Sequence, residues 1–329
     1  MRRGHRQGRG TVAALAGAAF LLTGCASGQP ADTALKASSG SPSSSASPVS
    51  SRGTAADPAT WTLPLQRYRP TDAQAKTISL AERELVGRCM KEFGVAWKPD
   101  AELPKVGPRN MLDWRYGIHD ATLSAKRGYQ PDAEEQARYE AALRANESRP
   151  ASSADTQVLL SGTDMPGGPS AKASADVRGG TKNGRRIPPG GCFGQARAAL
   201  GSATHGITPL VDRLTFDSYP ASLKAPEVKA VFARWSQCMA QRGYHYAAPM
   251  DADQDPRFRP SRAGVSGQEI ATALADITCR DQHRVTRTWF EAESRIQQGY
   301  VREHATQLAA DRRSLDRVIH TAEDTLAHR

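Results

Sequence analysis

Cys238-Met239-Ala240-Gln241-Arg242-Gly243-Tyr244-His245-Tyr246 repeats the pattern of Cys89-Met90-Lys91-Glu92-Phe93-Gly94-Val95-Ala96-Trp97: C-M-x-x-x-G-apolar-x-aromatic. The spacing has a physical cause. A left-handed glycine just past a helix end puts the methionine at C3 and the residue after the glycine at C″, and these two positions touch in a Schellman cap. Met90 is therefore expected against Val95, and Met239 against Tyr244. Both stretches read as the ends of amphipathic helices. Before the first, from a start near Thr71, Ile78, Ala81, Leu85 and Cys89 fall on one stripe, flanked by Val86, Met90 and Phe93. Before the second, Pro226 suits a first turn, and Val228, Val231, Phe232, Trp235, Cys238 and Met239 follow at helical spacing. A duplicated helix-plus-cap unit accounts for both.

Each unit has a cysteine downstream. Gly190-Gly191-Cys192 opens a short helical stretch through Ala196, Ala199 and Leu200. Cys279 sits in a helix begun by a capping box, Ser266 to Glu269, in which Ile270, Leu274 and Ile277 share one face and Cys279 points nearly the opposite way. Pairing by unit gives Cys89–Cys192 and Cys238–Cys279, and two other connectivities remain open to the sequence. From Ser266 onward the chain has no proline, and two stripes follow. One is Val285, Trp289, Ala292 and Ile296; the other runs from Val301 through Ala305, Leu308, Leu315, Ile319 and Ala322 to Leu326. The expected fold is mainly α: a disulfide-clasped helical domain over 61–329, with a long C-terminal helix or helical hairpin at 266–327 and little or no sheet. Residues from about 148 to 190 are rich in Gly, Ser and Pro. Only Val158-Leu159-Leu160 reads as ordered there, as a short strand, so the segment is expected to be a flexible surface insertion.

The front of the chain gives an address. Arg2, Arg3, Arg6 and Arg9 precede an apolar run from Thr11 to Leu22, of signal-peptide rather than membrane-spanning length. Leu22-Thr23-Gly24-Cys25 is a lipobox. Residues 1–24 are expected to be a lipoprotein signal peptide, leaving Cys25 to carry a diacylglycerol whose two chains suffice for stable anchoring. Residues 26 to about 57 are Ser, Ala, Pro and Gly with almost no large apolar side chain. Cys25 and this tether make up 25–60, a coil with an end-to-end distance of about 30 Å. The expected location is the outer face of the cytoplasmic membrane, with the membrane as first partner through Cys25.

Composition agrees. The 329 residues carry a formal charge of +10; of 44 basic residues four lie in the signal peptide, leaving 40 against 34 acidic, or +6. No dense basic stripe with interleaved aromatics is present, which argues against nucleic acid. Arginine greatly outnumbers lysine, with much alanine and glycine, the pattern of a GC-rich genome. Apart from Cys25, the four cysteines are an even number in an oxidising compartment, read as two disulfides.

Chemistry is less legible. No G-x-S-x-G, S-x-x-K, H-E-x-x-H, Walker A or G-x-G-x-x-G occurs. Cys279 and His283 lie four apart on a helix, and with Cys238 and His245 would make a Cys₂His₂ zinc site; oxidation of the two cysteines is the preferred reading. His119-Asp120 reads as turn chemistry rather than a site. Trp235, Tyr244, Tyr246 and Trp289 read as core rather than as a ligand cleft. No catalytic residue, metal ligand or cofactor is assigned.

The repeated Cys-Met-x-x-x-Gly unit, Tyr116-Gly117, Gly128-Tyr129, Gly190-Gly191-Cys192 and Ala275-Asp276-x-x-Cys279 resemble an uncharacterised group of actinobacterial secreted lipoproteins, over roughly residues 75 to 320. Some members are encoded near envelope ABC-transporter components, which implies an accessory role and no particular activity. Val95 stands where an aromatic is commoner in that group, so the first cap is expected to pack less well. The function expected is non-catalytic, a binding or accessory role at the envelope beside a transporter. The seam Val301, Leu308, Leu315, Ile319 and Leu326 has the spacing of a coiled-coil contact, within the chain or with an envelope partner. An envelope enzyme acting on wall or lipid material, or a zinc-binding lipoprotein, is the alternative.

Overall fold

The computed structural model describes residues 57–259 and 264–328. Cys25, the signal peptide and most of the tether lie outside the described residues. Asp57 and the residues after it, inside the stretch assigned to the tether, are already part of the fold. Two 3-10 turns, Pro58–Thr60 and Pro64–Tyr68, open on prolines whose fixed φ suits a first turn. Leu63 and Leu65 are buried, and Trp61 lies against Phe290 with ring centroids 4.7 Å apart.

Helix α1 (Asp72–Glu92) starts at a Thr71–Gln74 capping box. It ends as the spacing requires: Val95 N–H donates to Met90 O and Gly94 N–H to Lys91 O, both at 3.0 Å, with Gly94 at φ +73°. Val95 is half-buried against the same cluster that holds Met90. Beyond a long irregular segment come α2 (Ala121–Arg127) and α3 (Ala133–Glu147), the latter without a buried residue.

The stretch 148–190, expected as a flexible insertion with a short strand, is a correction. It holds α4 (Ala154–Ser161), the single turn α5 (Ala175–Arg178) and a two-residue hairpin, β1 (Thr181–Lys182) paired with β2 (Arg185–Arg186). Val158, Leu159, Val177 and Ile187 are buried around Cys89–Cys192. Few apolar residues suffice because each meets a core already built by α1. Asp155 pins the segment: it accepts from the Ser174 amide (2.7 Å), the Ser174 hydroxyl (2.8 Å) and Lys182 Nζ (2.8 Å). Limited proteolysis of the folded chain is expected to leave Ala154–Ile187 intact. Early cleavage inside that span would show that it does not pack as described.

Next come α6 (Gly191–Leu200), α7 (Pro209–Leu223), α8 (Pro226–Gln241) and α9 (Pro249–Asp253). Helix α8 closes with the second cap, Tyr244 N–H to Met239 O and Gly243 N–H to Ala240 O, both at 3.0 Å. The expected C-terminal helix or hairpin is three helices: α10 (Gly267–Gln282), α11 (Val285–Glu303) and α12 (Ala305–Ala327). Left-handed Arg284 (φ +54°) breaks the first pair and His304 the second. Apart from the two-residue hairpin, no sheet occurs among the described residues. No described helix is long and apolar enough to cross a membrane.

Both within-unit disulfides are formed, Cys89–Cys192 and Cys238–Cys279, with Cα–Cα distances of 5.6 and 5.8 Å. Each lies in a different hydrophobic cluster. The first belongs with Val86, Met90 and Val158; the second belongs with Trp235, Met239, Ile277 and Trp289. The duplication thus supplies two separately stapled cores. Helix α12 joins α1 and α6, where Leu315, Val318, Ile319 and Ala322 meet Ile78, Ala81 and Leu200. Leu308 completes a fourth cluster with Leu65, Leu210, Val211 and Leu214. The C-terminal seam is therefore spent inside the chain.

Candidate functional site

The irregular segment between α1 and α2 is built from short polar turns. Asn110 Oδ1 accepts from the amides of Leu112 (2.9 Å) and Asp113 (3.1 Å), while its Nδ2 donates to Ala59 O at 2.7 Å. Asp120 N-caps α2 through the Leu123 amide at 2.9 Å. Leu112 and Tyr116 are buried, so the segment is anchored at both an apolar and a polar level.

Two buried charge networks hold it. In the first, Glu293 of α11 accepts from Arg115 Nε (2.9 Å) and Nη2 (2.5 Å), Tyr116 Oη (2.8 Å) and Ser218 Oγ (2.7 Å). Gln297 joins through Ser218 and accepts from the Leu65 amide at 3.0 Å. In the second, Asp276 of α10 accepts from Arg280 Nε (2.7 Å), Trp235 Nε1 (2.7 Å) and Tyr129 Oη (3.2 Å). Arg280 Nη1 donates to Tyr116 O at 2.5 Å, so Tyr116 is shared by both networks. Burial, reinforced by Glu293 and Asp276 respectively, pushes the phenols of Tyr116 and Tyr129 far above their ordinary value.

This explains the Tyr-Gly and Gly-Tyr pairs. Gly117 (φ +99°) lies so close to Arg280 that a Cβ would come within 2.3 Å of Nη1; Gly128 (φ +57°) meets Glu269, where a Cβ would lie 2.7 Å from Cγ. Each glycine admits a charged side chain, and each tyrosine delivers a hydroxyl to a buried acid. Glu269 is half of the expected capping box only. Ser266 Oγ accepts from the Glu269 amide at 3.1 Å, but the Glu269 carboxylate turns inward to the Tyr129 amide (3.1 Å) and Gln130 Nε2 (3.0 Å).

Where the segment meets α2 and α3 it lines a cavity of about 230 Å³ that opens to solvent. Trp114, Ile118 and Leu123 give it an apolar wall; Arg109, His119, Ser124, Arg127 and Glu135 give it a polar one. At its edge Arg109 clamps two acids. Its guanidinium donates to Asp57 at 2.6 and 2.8 Å and to Asp113 at 2.7 and 3.2 Å, and its amide donates to Asp113 at 2.7 Å. His119 Nε2 lies 2.9 Å from Asp113 Oδ1. Burial alone would raise the Asp113 carboxyl, but the bonds from Arg109 and His119 outweigh it and hold the group well below the carboxylate range. Arg109 likewise lowers Asp57.

The sign of the pH dependence follows. A carboxyl lowered on folding contributes stability that is complete above its unfolded value, near 3.8, and is lost as pH falls toward the folded one. Asp113→Asn is expected to cost about 1–2 kcal/mol at neutral pH, discounted because Arg109 is half in solvent. The gap between the two melting curves should narrow below pH 4. A gap independent of pH would show that the clamp is not ionic.

Asp57, Asp113 and His119 also form the acid–histidine cluster whose ligand atoms converge within 4.8 Å among the described residues. The Arg109 guanidinium already bonds both carboxylates and offsets one of their two charges, occupying oxygens that a cation would need. The Cys₂His₂ zinc alternative is corrected: Cys238 and Cys279 are bonded to each other, leaving no thiolate for a metal. Trp235 and Trp289 are fully buried core, as expected, while Tyr246 caps Asp255 through a 2.7 Å bond. The His119-Asp120 pair divides: Asp120 is turn chemistry, and His119 faces the cavity. Asp57, Arg109, Asp113 and Arg127 were missed by sequence reading. No short motif links them, since they meet only through the turns at Asn110 and Asp120.

A histidine oriented by a buried aspartate is part of an acyl-transfer constellation. Ser124 lines the same cavity, yet no hydrogen bond joins it to His119 among the described residues. The arrangement as built can hold a small polar molecule against an aromatic floor. Comparison with protein-family models, with curated proteins and with solved structures finds no match to this chain.

Proposed function

We propose that this chain is a lipid-anchored protein of the outer face of the cytoplasmic membrane, with a non-catalytic binding role at the envelope, beside a transporter. The observation that carries the reading is the pair of buried disulfides, one in each stapled core. Such bonds persist in oxidising, exported compartments. The lipobox at Cys25 and the tether behind it supply the address, and the solvent-open cavity beside α2 supplies a place to bind. An interaction with an envelope partner would use the exposed side of α12, because its apolar seam is already buried. Replacing Cys25 by serine is expected to abolish metabolic lipid labelling and to leave an uncleaved precursor or a shed protein. Unchanged labelling would end the anchor reading.

The second reading, an envelope enzyme, is favoured by the Asp113–His119 pair. It requires His119 to reach the Ser124 hydroxyl. Ester hydrolysis by the purified chain, lost in both His119→Gln and Ser124→Ala, would establish it in place of the binding reading.

A further inference from the structure

We propose that the cavity beside α2 binds a small zwitterion of amino-acid size, a ligand class that rests on the reading of the chain as a binding protein. Most of the charge around the cavity is already committed. Arg109 and Asp113 satisfy each other and Asp57, and Asp120 is used as the cap of α2. Three groups are not committed. Arg127 stacks over Trp114, 4.9 Å from the ring centroid to its guanidinium carbon, and makes no hydrogen bond or ion pair among the described residues. Asp132, at the exposed start of α3, feels its charge only at longer range. Ser124 lines the cavity, and no hydrogen bond to its hydroxyl occurs among the described residues, so the hydroxyl is available to a molecule in the cavity. Glu135 accepts one bond, from the Gly107 amide to Oε2 at 3.3 Å, and its Oε1 has no donor among the described residues.

The positions of these groups select the ligand. Gly107 lies against the six-membered ring of Trp114, where a Cβ would come within 3.2 Å of Cζ3. Glu135, bonded to Gly107, and Arg127, stacked on the indole, therefore stand at two places on one aromatic floor. Both line the cavity, and no ion pair between them occurs among the described residues. A free cation and a free anion held apart suit a molecule that carries both complementary charges. Its carboxylate would accept from the Arg127 fork and the Ser124 hydroxyl. Its ammonium would donate to Glu135, and its side chain would meet Ile118 and Leu123. His119 adds a second ring nitrogen, Nδ1, without a protein partner among the described residues. The cavity of about 230 Å³ has room for a molecule the size of an amino acid with a modest side chain.

The test uses the full chain purified in detergent. A thermal-shift screen of the twenty protein amino acids is followed by calorimetry on the best of them, its N-acetyl derivative and its amide. At least one amino acid is expected to bind, and each blocked derivative to bind at least tenfold more weakly. Arg127→Gln and Glu135→Gln, both at surface-accessible positions, should each lose at least tenfold in affinity, with both variants remaining folded and each read against its own melting temperature without ligand. Arg127→Gln should no longer distinguish the acid from its amide, and Glu135→Gln should no longer distinguish the amine from its N-acetyl form. The proposal is overturned if no amino acid shifts the melting temperature. Equal binding of both blocked derivatives to the wild-type chain overturns it independently of any variant. Failure here with Cys25-dependent labelling intact would leave the envelope role standing; labelling that survives Cys25→Ser, with amino-acid binding retained, would remove the anchor and keep the site.

Discussion

Truncating Arg280 to alanine is expected to destabilise the fold by about 3–5 kcal/mol, the cost of leaving a buried charge without its partner. Asp276 and Arg280 are both essentially excluded from solvent and lie one turn apart on α10. Once the guanidinium is gone, Asp276 keeps only the Trp235 and Tyr129 donors, and the Tyr116 carbonyl loses its bond from Nη1. Urea unfolding reads the loss directly. Asp276→Asn in the Arg280→Ala background should recover part of the loss, because it removes the stranded charge, keeps a carbonyl acceptor for Trp235 and turns an amide donor to the Tyr129 hydroxyl. A cost below about 1 kcal/mol, or no recovery in the double variant, would show that the pair is wetter and less important than its geometry indicates.

That pair also shows where sequence reading fails. The apolar positions Ile270, Leu274 and Ile277 mark one face of α10 and Cys279 points nearly the opposite way, but neither signal marks charged residues for burial. In the fold, Ile270 and Leu274 are only half-buried, whereas Glu269, Thr272, Asp276 and Arg280 are buried. Periodicity reports apolar burial; it cannot report a polar face that meets complementary groups from loops 140 to 164 residues away. The same limit hid Asp57, which sits at the end of a low-complexity tether and gains its role only from Arg109, 52 residues on. Local features were legible because they are self-contained. The two Schellman caps need only the spacing of methionine and glycine, and the Thr71 cap needs only Gln74. The duplication favoured the disulfide pairing that the fold shows, because each repeat supplies one cysteine at a fixed place relative to its own cap, but it left the partners downstream with two other connectivities. The stretch 148–190 was misjudged for the opposite reason. Composition counted its few apolar residues, and the fold uses nearly every one of them.

Ending the chain after Gln297 is expected to unfold a large part of the domain rather than merely remove a partner surface. The truncation deletes Leu308, Leu315, Val318, Ile319 and Ala322, all buried against α1, α6, α7 and the Pro64–Tyr68 turn. Full burial of one large aliphatic side chain contributes roughly 1.5–3 kcal/mol, so the four large ones alone approach the whole stability of an ordinary domain, about 5–15 kcal/mol. The newly bared faces of Ile78, Ala81 and Leu200 would also invite aggregation. Of the two roles open to the seam from sequence, the one within the chain is the one the packing fills. The expected readouts are a melting temperature lowered by well over 10 °C, or no cooperative transition at all, and exposure of the α1 surface to an apolar dye. The Cys238–Cys279 bond should survive, because its cluster around Trp235 and Trp289 draws nothing from α12. A truncated chain with unchanged melting and intact disulfides would instead mean that α12 is a detachable arm, and the envelope partner would again be sought on its apolar seam.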